Sequence, residues 1–108
     1  MTKRSIFKGA ANRDDNEPEF AQLLDAYRIQ YAQGKPGDGY DLLIQMSPMQ
    51  LWEIKNPLQP RSKRKLTAAE QAKKEYCEAT GIPYYVLEYV DQAQVLIEIW
   101  RAHRKIAS

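Results

Sequence analysis

The residues best suited to chemistry are Glu53 and Lys55, which lie two positions apart in an apolar run with Trp52 and Ile54. In a β-strand, side chains two positions apart share a face, so the carboxylate and the ammonium group would point the same way. Burying two charges there for stability alone would be costly. A second apolar run begins with the carboxylate of Asp41. Two carboxylates and one lysine match the needs of a divalent cation and a phosphodiester, so the pattern predicts a metal-dependent nuclease.

The two apolar runs predict a hairpin of strands over roughly residues 40–45 and 50–55. If its turn is centred on Ser47, Asp41 lies opposite Glu53 with the two Cβ atoms about 5 Å apart, a distance that suits a shared metal. The backbone carbonyl of Ile54 would add an oxygen ligand for Mg²⁺ or Mn²⁺. Lys55 would orient the attacking water or neutralise charge in the transition state. A register shifted by one residue would turn Asp41 away from this site.

Helices must cover the hairpin on both faces, because apolar side chains point to both sides of each strand. A stripe from Phe20 to Tyr31 predicts a helix of about 13 residues after Pro18, followed by a glycine-rich loop over residues 32–39. Thr67 and Glu70 form a capping-box pattern that opens a second helix, and Gly81 is suited to end it.

The last part of the chain predicts one strand and one helix. Residues 83–89 have the composition of a strand. Asp91 is suited to cap a final helix, in which one side carries mostly apolar residues, namely Val95, Leu96, Ile99, Trp100 and His103. The alternation of Val95, Ile97 and Ile99 leaves a strand open as an alternative there.

The length of 108 residues predicts a single domain over residues 19–108, preceded by a polar, flexible arm over residues 1–18. With 16 basic and 14 acidic side chains, the composition does not by itself indicate nucleic-acid binding. Cys77 is the only cysteine, which excludes an intrachain disulfide and a thiolate zinc cluster. No long apolar stretch predicts a signal peptide or a membrane span, so we expect a soluble, cytoplasmic protein.

Two further groups of residues could serve the predicted site. Gln71, one turn into the capped helix, could reach a phosphate or a metal-bound water through its amide. Glu19, at the start of the first helix, could add a carboxylate to the metal. The connection from residue 56 to residue 66 is strongly basic and could hold DNA phosphates through Arg61, Lys63, Arg64 and Lys65.

The order of these segments resembles the VRR-NUC branch of the PD-(D/E)XK nucleases over about residues 19–100. The matching segments are Glu19, Gly39 to Ile44, Trp52 to Lys55, Leu66 to Gln71 and Gly81 to Leu87. The resemblance implies an α/β fold in which helices flank a small mixed β-sheet, the restriction-endonuclease-like core. It also implies a metal and catalytic centre made by Asp41, Glu53 and Lys55, with help from Gln71 and Glu19. Tyr40 stands where the family usually has proline.

The same resemblance implies the substrate and the assembly. Family members cut double-stranded DNA, often branched or flapped, and small standalone members act as homodimers on four-way (Holliday) junctions. The segment between the first helix and Asp41 is short and glycine-rich for a first strand, which suggests a trimmed sheet that a partner chain could complete.

Simpler interpretations stay open at several positions. A Glu and a Lys two apart are most often a solvated strand face with an incidental ion pair. Asp38 competes with Asp41 but is better suited to a turn. Glu19 is equally suited to the start of a helix, and the basic segment to a solvated connector. The main alternative function is a catalytically inactive module with this fold that binds nucleic acid or a partner protein.

Overall fold

Four short strands form one mixed sheet at the centre of the structure, a computed structural model that describes residues 16–107. The strands lie in chain order across the sheet, and they are β1 (Tyr31–Gln33), β2 (Leu42–Ile44), β3 (Gln50–Ile54) and β4 (Tyr84–Leu87). The pairs β1–β2 and β2–β3 are antiparallel, whereas β3–β4 is parallel. This small mixed α/β sheet agrees with the predicted fold class.

The β2–β3 hairpin has the register that the sequence predicts. Leu42 pairs with Trp52 and Leu43 with Leu51, so the turn is centred on Ser47. At the open end of the hairpin the amide of Asp41 donates to the carbonyl of Trp52 at 3.0 Å. Asp41 therefore lies beside the end of β3 that carries Glu53.

The first helix and the segment after it differ from the prediction. Helix α1 spans Glu17–Ala26 and takes Pro18 into its first turn, and β1, a fourth strand beyond the three predicted, follows where we predicted helix and then loop. The helix ends because Arg28 adopts a φ of +58°, after which the chain becomes extended and β1 begins at Tyr31. Residues 16–18 of the predicted arm belong to the folded part, and residues 1–15 lie outside the described residues.

One face of the sheet carries the main core. Trp52 and Ile54 point to this face and are fully buried, and the ring of Phe20 from α1 meets Trp52 edge to face, with centroids 6.5 Å apart. Helix α3 (Val90–Ala107) closes the same face with Ala93 and Ile97. Because side chains alternate along a strand, Leu51, Glu53 and Lys55 point to the opposite face.

Helix α2 (Ala68–Thr80) covers that opposite face. The predicted capping box is confirmed: the Thr67 hydroxyl accepts from the Glu70 amide, and the Glu70 carboxylate accepts from the Thr67 amide. Gly81 ends the helix in the left-handed conformation, as predicted. Cys77 is buried, and the ammonium group of Lys55 reaches Glu70, so α2 lies directly over the charged residues of β3.

Helix α3 exists as predicted, but it starts at a different residue, and only Leu96 and Trp100 of the predicted apolar side pack against the core. It begins at Val90, so Asp91 lies within its first turn, and the side chain of Gln92 accepts from the amides before the helix. Val95 and Ile99 remain 54% and 51% exposed. The alternative of a strand over this segment is wrong. None of the helices in residues 16–107 has both the length and the apolar character needed to cross a membrane.

Candidate active site

Glu53 of β3 and Lys55, which directly follows the strand, form a buried cluster at the carboxyl end of β3. Only 3% of Glu53 and 7% of Lys55 are exposed. Lys55 directs its Nζ to Glu53 Oε2 at 3.3 Å and to Glu70 Oε1 at 2.8 Å. The solvated strand face with an incidental ion pair is therefore wrong, since these charges are held inside the protein between β3 and α2.

Asp41, which directly precedes β2, completes this cluster. Its Oδ2 accepts a hydrogen bond from the amide of Ile54 at 2.7 Å, which orients the carboxylate toward the end of β3. Its charge is close enough to raise the pKa of Glu53. The structure thus brings Asp41, Glu53 and Lys55 together. Asp38, the competing carboxylate, lies in a turn, where its side chain accepts a hydrogen bond from the amide of Lys35.

The cluster contains more negative than positive charge. Burial, together with the neighbouring carboxylates of Asp41 and Glu70, raises the pKa of Glu53 to about 9, although Lys55 opposes the shift. Burial alone would raise the pKa of Glu70, but hydrogen bonds from Lys55 and from the amide of Thr67 outweigh it and lower that pKa. At neutral pH without a bound cation, Glu53 therefore keeps its proton and Glu70 is ionised.

Lys55 remains a cation in this environment. Burial would lower its pKa, but the hydrogen bond to Glu70 and the charge of Glu53 outweigh that effect and raise it. The ammonium group can therefore donate hydrogen bonds and stabilise negative charge. Because it holds its proton strongly, it is poorly suited to act as a base.

Tyr84 is a member of the site that the sequence did not indicate. It lies on β4, and its hydroxyl donates to the carbonyl of Gly39 at 2.6 Å. Burial and the charges of Glu53 and Glu70 raise its pKa, so the hydroxyl keeps its proton. This bond ties β4 to the loop that precedes Asp41. From sequence alone, an aromatic residue in a strand is expected to pack in the core, so only the position of the Tyr84 hydroxyl reveals this role.

Gln71 and Glu19 do not join the cluster. The Gln71 amide donates to Glu75 on the exposed side of α2, and the adjacent Glu70 faces Lys55 in its place. Glu19 is exposed on α1, which packs on the Trp52 side of the sheet. No hydrogen bond or ion pair between described residues joins Glu19 to the carboxylates of the site.

The basic segment between β3 and α2 is partly available to solvent. Arg61 and Lys63 lie in a short 3₁₀ turn and are exposed, as is Lys65. Arg64 is half-buried and pairs with Glu88 at 3.2 Å. Three of the four predicted phosphate-binding cations thus project outward, whereas Arg64 fastens the segment to the end of β4.

Within residues 16–107, no group of three or more His, Cys, Asp or Glu side chains is arranged to hold a metal ion. The expected ligand set is smaller, because Mg²⁺ keeps several waters and commonly takes one or two carboxylates. Asp41 and Glu53 are two such groups. Burial and the nearby charge of Asp41 keep Glu53 protonated. A divalent cation bound between the two carboxylates could take the place of that proton.

Comparison with known proteins finds no match, whether to protein-family models, to curated proteins or to solved structures. Membership of the VRR-NUC branch therefore stays a prediction that depends on the residues quoted above. The sheet and its three helices show a small mixed α/β fold. Function has to be inferred from the side chains at the site.

Proposed function

We propose that this chain is a divalent-metal-dependent endonuclease that hydrolyses phosphodiester bonds in DNA. The observation that supports the proposal is the meeting of Asp41 and Glu53 with the buried ammonium group of Lys55. Burying three carboxyl groups around one lysine is unfavourable for folding. Removing each charge from water costs several kcal/mol, and one ammonium group cannot compensate for all of them. A cluster kept at such a cost is best explained by a chemical role.

Asp41 and Glu53 would hold the divalent cation, Mg²⁺ or Mn²⁺. Once bound, the cation would polarise the phosphodiester and lower the pKa of a bound water. The chain contributes by fixing both carboxylates before binding: the Ile54 amide orients Asp41, and the central strand β3 holds Glu53. Ligation by the Ile54 carbonyl stays a prediction.

Lys55 would stabilise the negative charge that develops on the phosphate oxygens. Its raised pKa favours this role over proton abstraction from the attacking water. Glu70 holds the ammonium group at 2.8 Å and so positions it without touching the reacting atoms. The attacking water, whose pKa the cation would lower, would give its proton to solvent rather than to Lys55.

The substrate that we propose is double-stranded DNA, with branched, flapped or four-way-junction DNA as the forms to test first. The exposed cations of the 61–65 segment are connected directly to β3 through residues 55–60, so they are suited to hold phosphates near the carboxylates. A homodimer would place two such sites on opposite strands by two-fold symmetry.

A second function is favoured by one specific observation. Lys55 is already bonded to Glu70, and Gln71 turns toward Glu75, so fewer polar groups face the site than an active nuclease would use. This arrangement suits a module that keeps the nuclease-like fold to bind nucleic acid or a partner protein and does not cut.

Cleavage assays separate the two functions. Supercoiled plasmid, flap DNA and four-way-junction DNA are incubated with the wild type and with Lys55→Ala, in Mg²⁺, in Mn²⁺ or in EDTA. Lys74→Ala, which removes a partly exposed lysine that pairs with Glu78 on α2, serves as the control. We expect cutting by the wild type and the control only with the cation, and a loss of at least about 100-fold in Lys55→Ala. Equal trace cutting by wild type and Lys55→Ala would overturn the nuclease function.

A further inference from the structure

A polar groove of about 390 Å³ lies at the end of the sheet opposite to the carboxylates. It forms where α1 ends and β2 ends, and the later turns of α3 make its other wall. Its lining includes three arginines, two aromatic rings and an amide, namely Arg28, Arg101, Arg104, Tyr27, Trp100 and Gln45. Gln45 follows β2 whereas Asp41 precedes it, so the length of the strand separates this groove from the acidic site.

The guanidinium groups of two of the arginines lie over the two aromatic rings. The guanidinium carbon of Arg101 lies 5.4 Å from the centre of the Tyr27 ring, and that of Arg104 lies 4.9 Å from the centre of the Trp100 ring. The Trp100 indole is itself fixed by a bond from its Nε1 to the carbonyl of Ser47 at 3.2 Å. A guanidinium group held over a ring still carries N–H donors in its plane, which suits contact with phosphate.

The third arginine occupies a backbone position that favours glycine. The amides of Arg28 and Ile29 donate to the carbonyls of Asp25 and Leu24, which is the Schellman arrangement at a helix end. In it Arg28 has a φ of +58°, a conformation that costs a non-glycine residue on the order of 1 kcal/mol. The backbone therefore gives no reason for an arginine here, whereas the groove beside it does.

The charged side chains in the described lining of the groove are all basic. Three arginines face it and no acidic side chain of residues 16–107 lines it. Within the described residues, neither Arg28 nor Arg101 takes part in an ion pair. Glu98 approaches from α3, where it accepts from the Tyr27 hydroxyl at 3.3 Å, but it lies outside the lining.

We propose that this groove binds a segment of single-stranded nucleic acid. The guanidinium groups of Arg28, Arg101 and Arg104 would contact successive phosphates, and bases would stack on the layered arginine and aromatic planes. The Gln45 amide can donate to and accept from a base edge. Aromatic rings beside the arginines favour nucleic acid over an acidic peptide, because a nucleic acid offers a base to stack on the rings as well as a phosphate for the guanidinium groups. This binding does not require cleavage, so it can be tested independently of the proposed nuclease function.

The test measures binding of a fluorescent 16-nucleotide single strand in EDTA over a series of salt concentrations. Arg28→Gly removes one guanidinium group and suits the backbone, so its melting temperature should equal or exceed that of the wild type. We expect its Kd to rise about fivefold to tenfold, with a salt slope lower by about 0.7. Arg101→Gln should give a similar loss. Lys74→Gln, which removes one charge from α2, should stay within about twofold of the wild type.

Each other result decides against the proposal. Equal losses in Arg28→Gly and Lys74→Gln would mean that only net charge matters. Wild-type affinity in both arginine variants would remove the groove from the binding surface. Equal competition by a polyglutamate peptide would assign the groove to acidic proteins, and competition by inorganic phosphate without any binding of the oligonucleotide would leave only a small-anion site. If the single strand binds as expected but no DNA is cut, this inference stands and the nuclease function fails.

Discussion

Glu53 links the stability of the protein to pH in a direction that is unusual for a carboxylate. Its pKa is raised from 4.5 to about 9, so the folded protein keeps a proton that the unfolded chain loses. The stability that this proton contributes is complete below pH 4.5 and is lost as pH rises through about 9. At about 1.36 kcal/mol per pH unit, the loss by pH 7 is at most about 3 kcal/mol.

The substitution Glu53→Gln tests this linkage, because glutamine cannot ionise and can still donate a hydrogen bond to Glu70. We expect the variant to be more stable than the wild type by about 2 kcal/mol at pH 7, below the upper limit because its geometry only approximates that of a protonated carboxyl. The difference should be small at pH 5 and should grow toward pH 9. Glu70→Gln, one side chain away, should have the opposite sign and cost about 1 to 2 kcal/mol, since Lys55 loses its anionic partner.

The assay is urea unfolding in EDTA at several values between pH 5 and pH 9, followed by circular dichroism. Subtracting the wild-type value at each pH from that of Glu53→Gln removes the contribution of all other titrating groups. A difference that stays constant across the range, or a variant that becomes relatively less stable as pH rises, would refute the idea that crowded carboxylates hold the proton on Glu53.

Three further predictions concern the surroundings of the site. Gly39→Ala should lower the free energy of unfolding by about 3 kcal/mol and Gly37→Ala by about 1 kcal/mol. Both glycines have a positive φ, but only a Cβ at Gly39 would meet α2, at 2.6 Å from the Ala69 carbonyl oxygen. Similar losses for the two variants in urea unfolding would refute this. Tyr84→Phe should cost about 1 kcal/mol by removing the bond to the Gly39 carbonyl, and an unchanged urea midpoint would contradict that. Alanine at the exposed loop cations should weaken binding of duplex DNA in EDTA and lower the salt slope by about 2 to 3, and an unchanged slope would remove the loop from the interface. These cations are Arg61, Lys63 and Lys65.

The hairpin and helix α2 could be predicted because their signals are local. Apolar alternation on both sides of a single turn sets the register that brings Asp41 to Glu53, and a capping box with a glycine at the far end delimits α2. Strand β1 could not be predicted, because three residues are too few for an alternating pattern to stand out and an arginine rather than a glycine ends the preceding helix.

The choice between Glu70 and Gln71 illustrates why the site could be predicted only in part. Adjacent residues on a helix point about 100° apart, so the rotation of α2 about its axis decides which of them faces β3. That rotation depends on the burial of Cys77 and on the close approach of Gly39 to α2. Both are tertiary contacts between distant parts of the chain. In α3, similarly, Val95 and Ile99 are as apolar as the buried Ile97, so composition alone could not identify the buried side.

The most direct test of the central claim is a Mn²⁺ titration followed by electron paramagnetic resonance, in which bound Mn²⁺ loses its sharp solution signal. The wild type and the double variant Asp41→Asn, Glu53→Gln are compared at pH 7.5, and circular dichroism verifies that both are folded. We predict saturable binding by the wild type and loss of that binding in the variant. Equal binding by the two proteins, or none by the wild type, would contradict the claim that these two carboxylates hold a divalent cation.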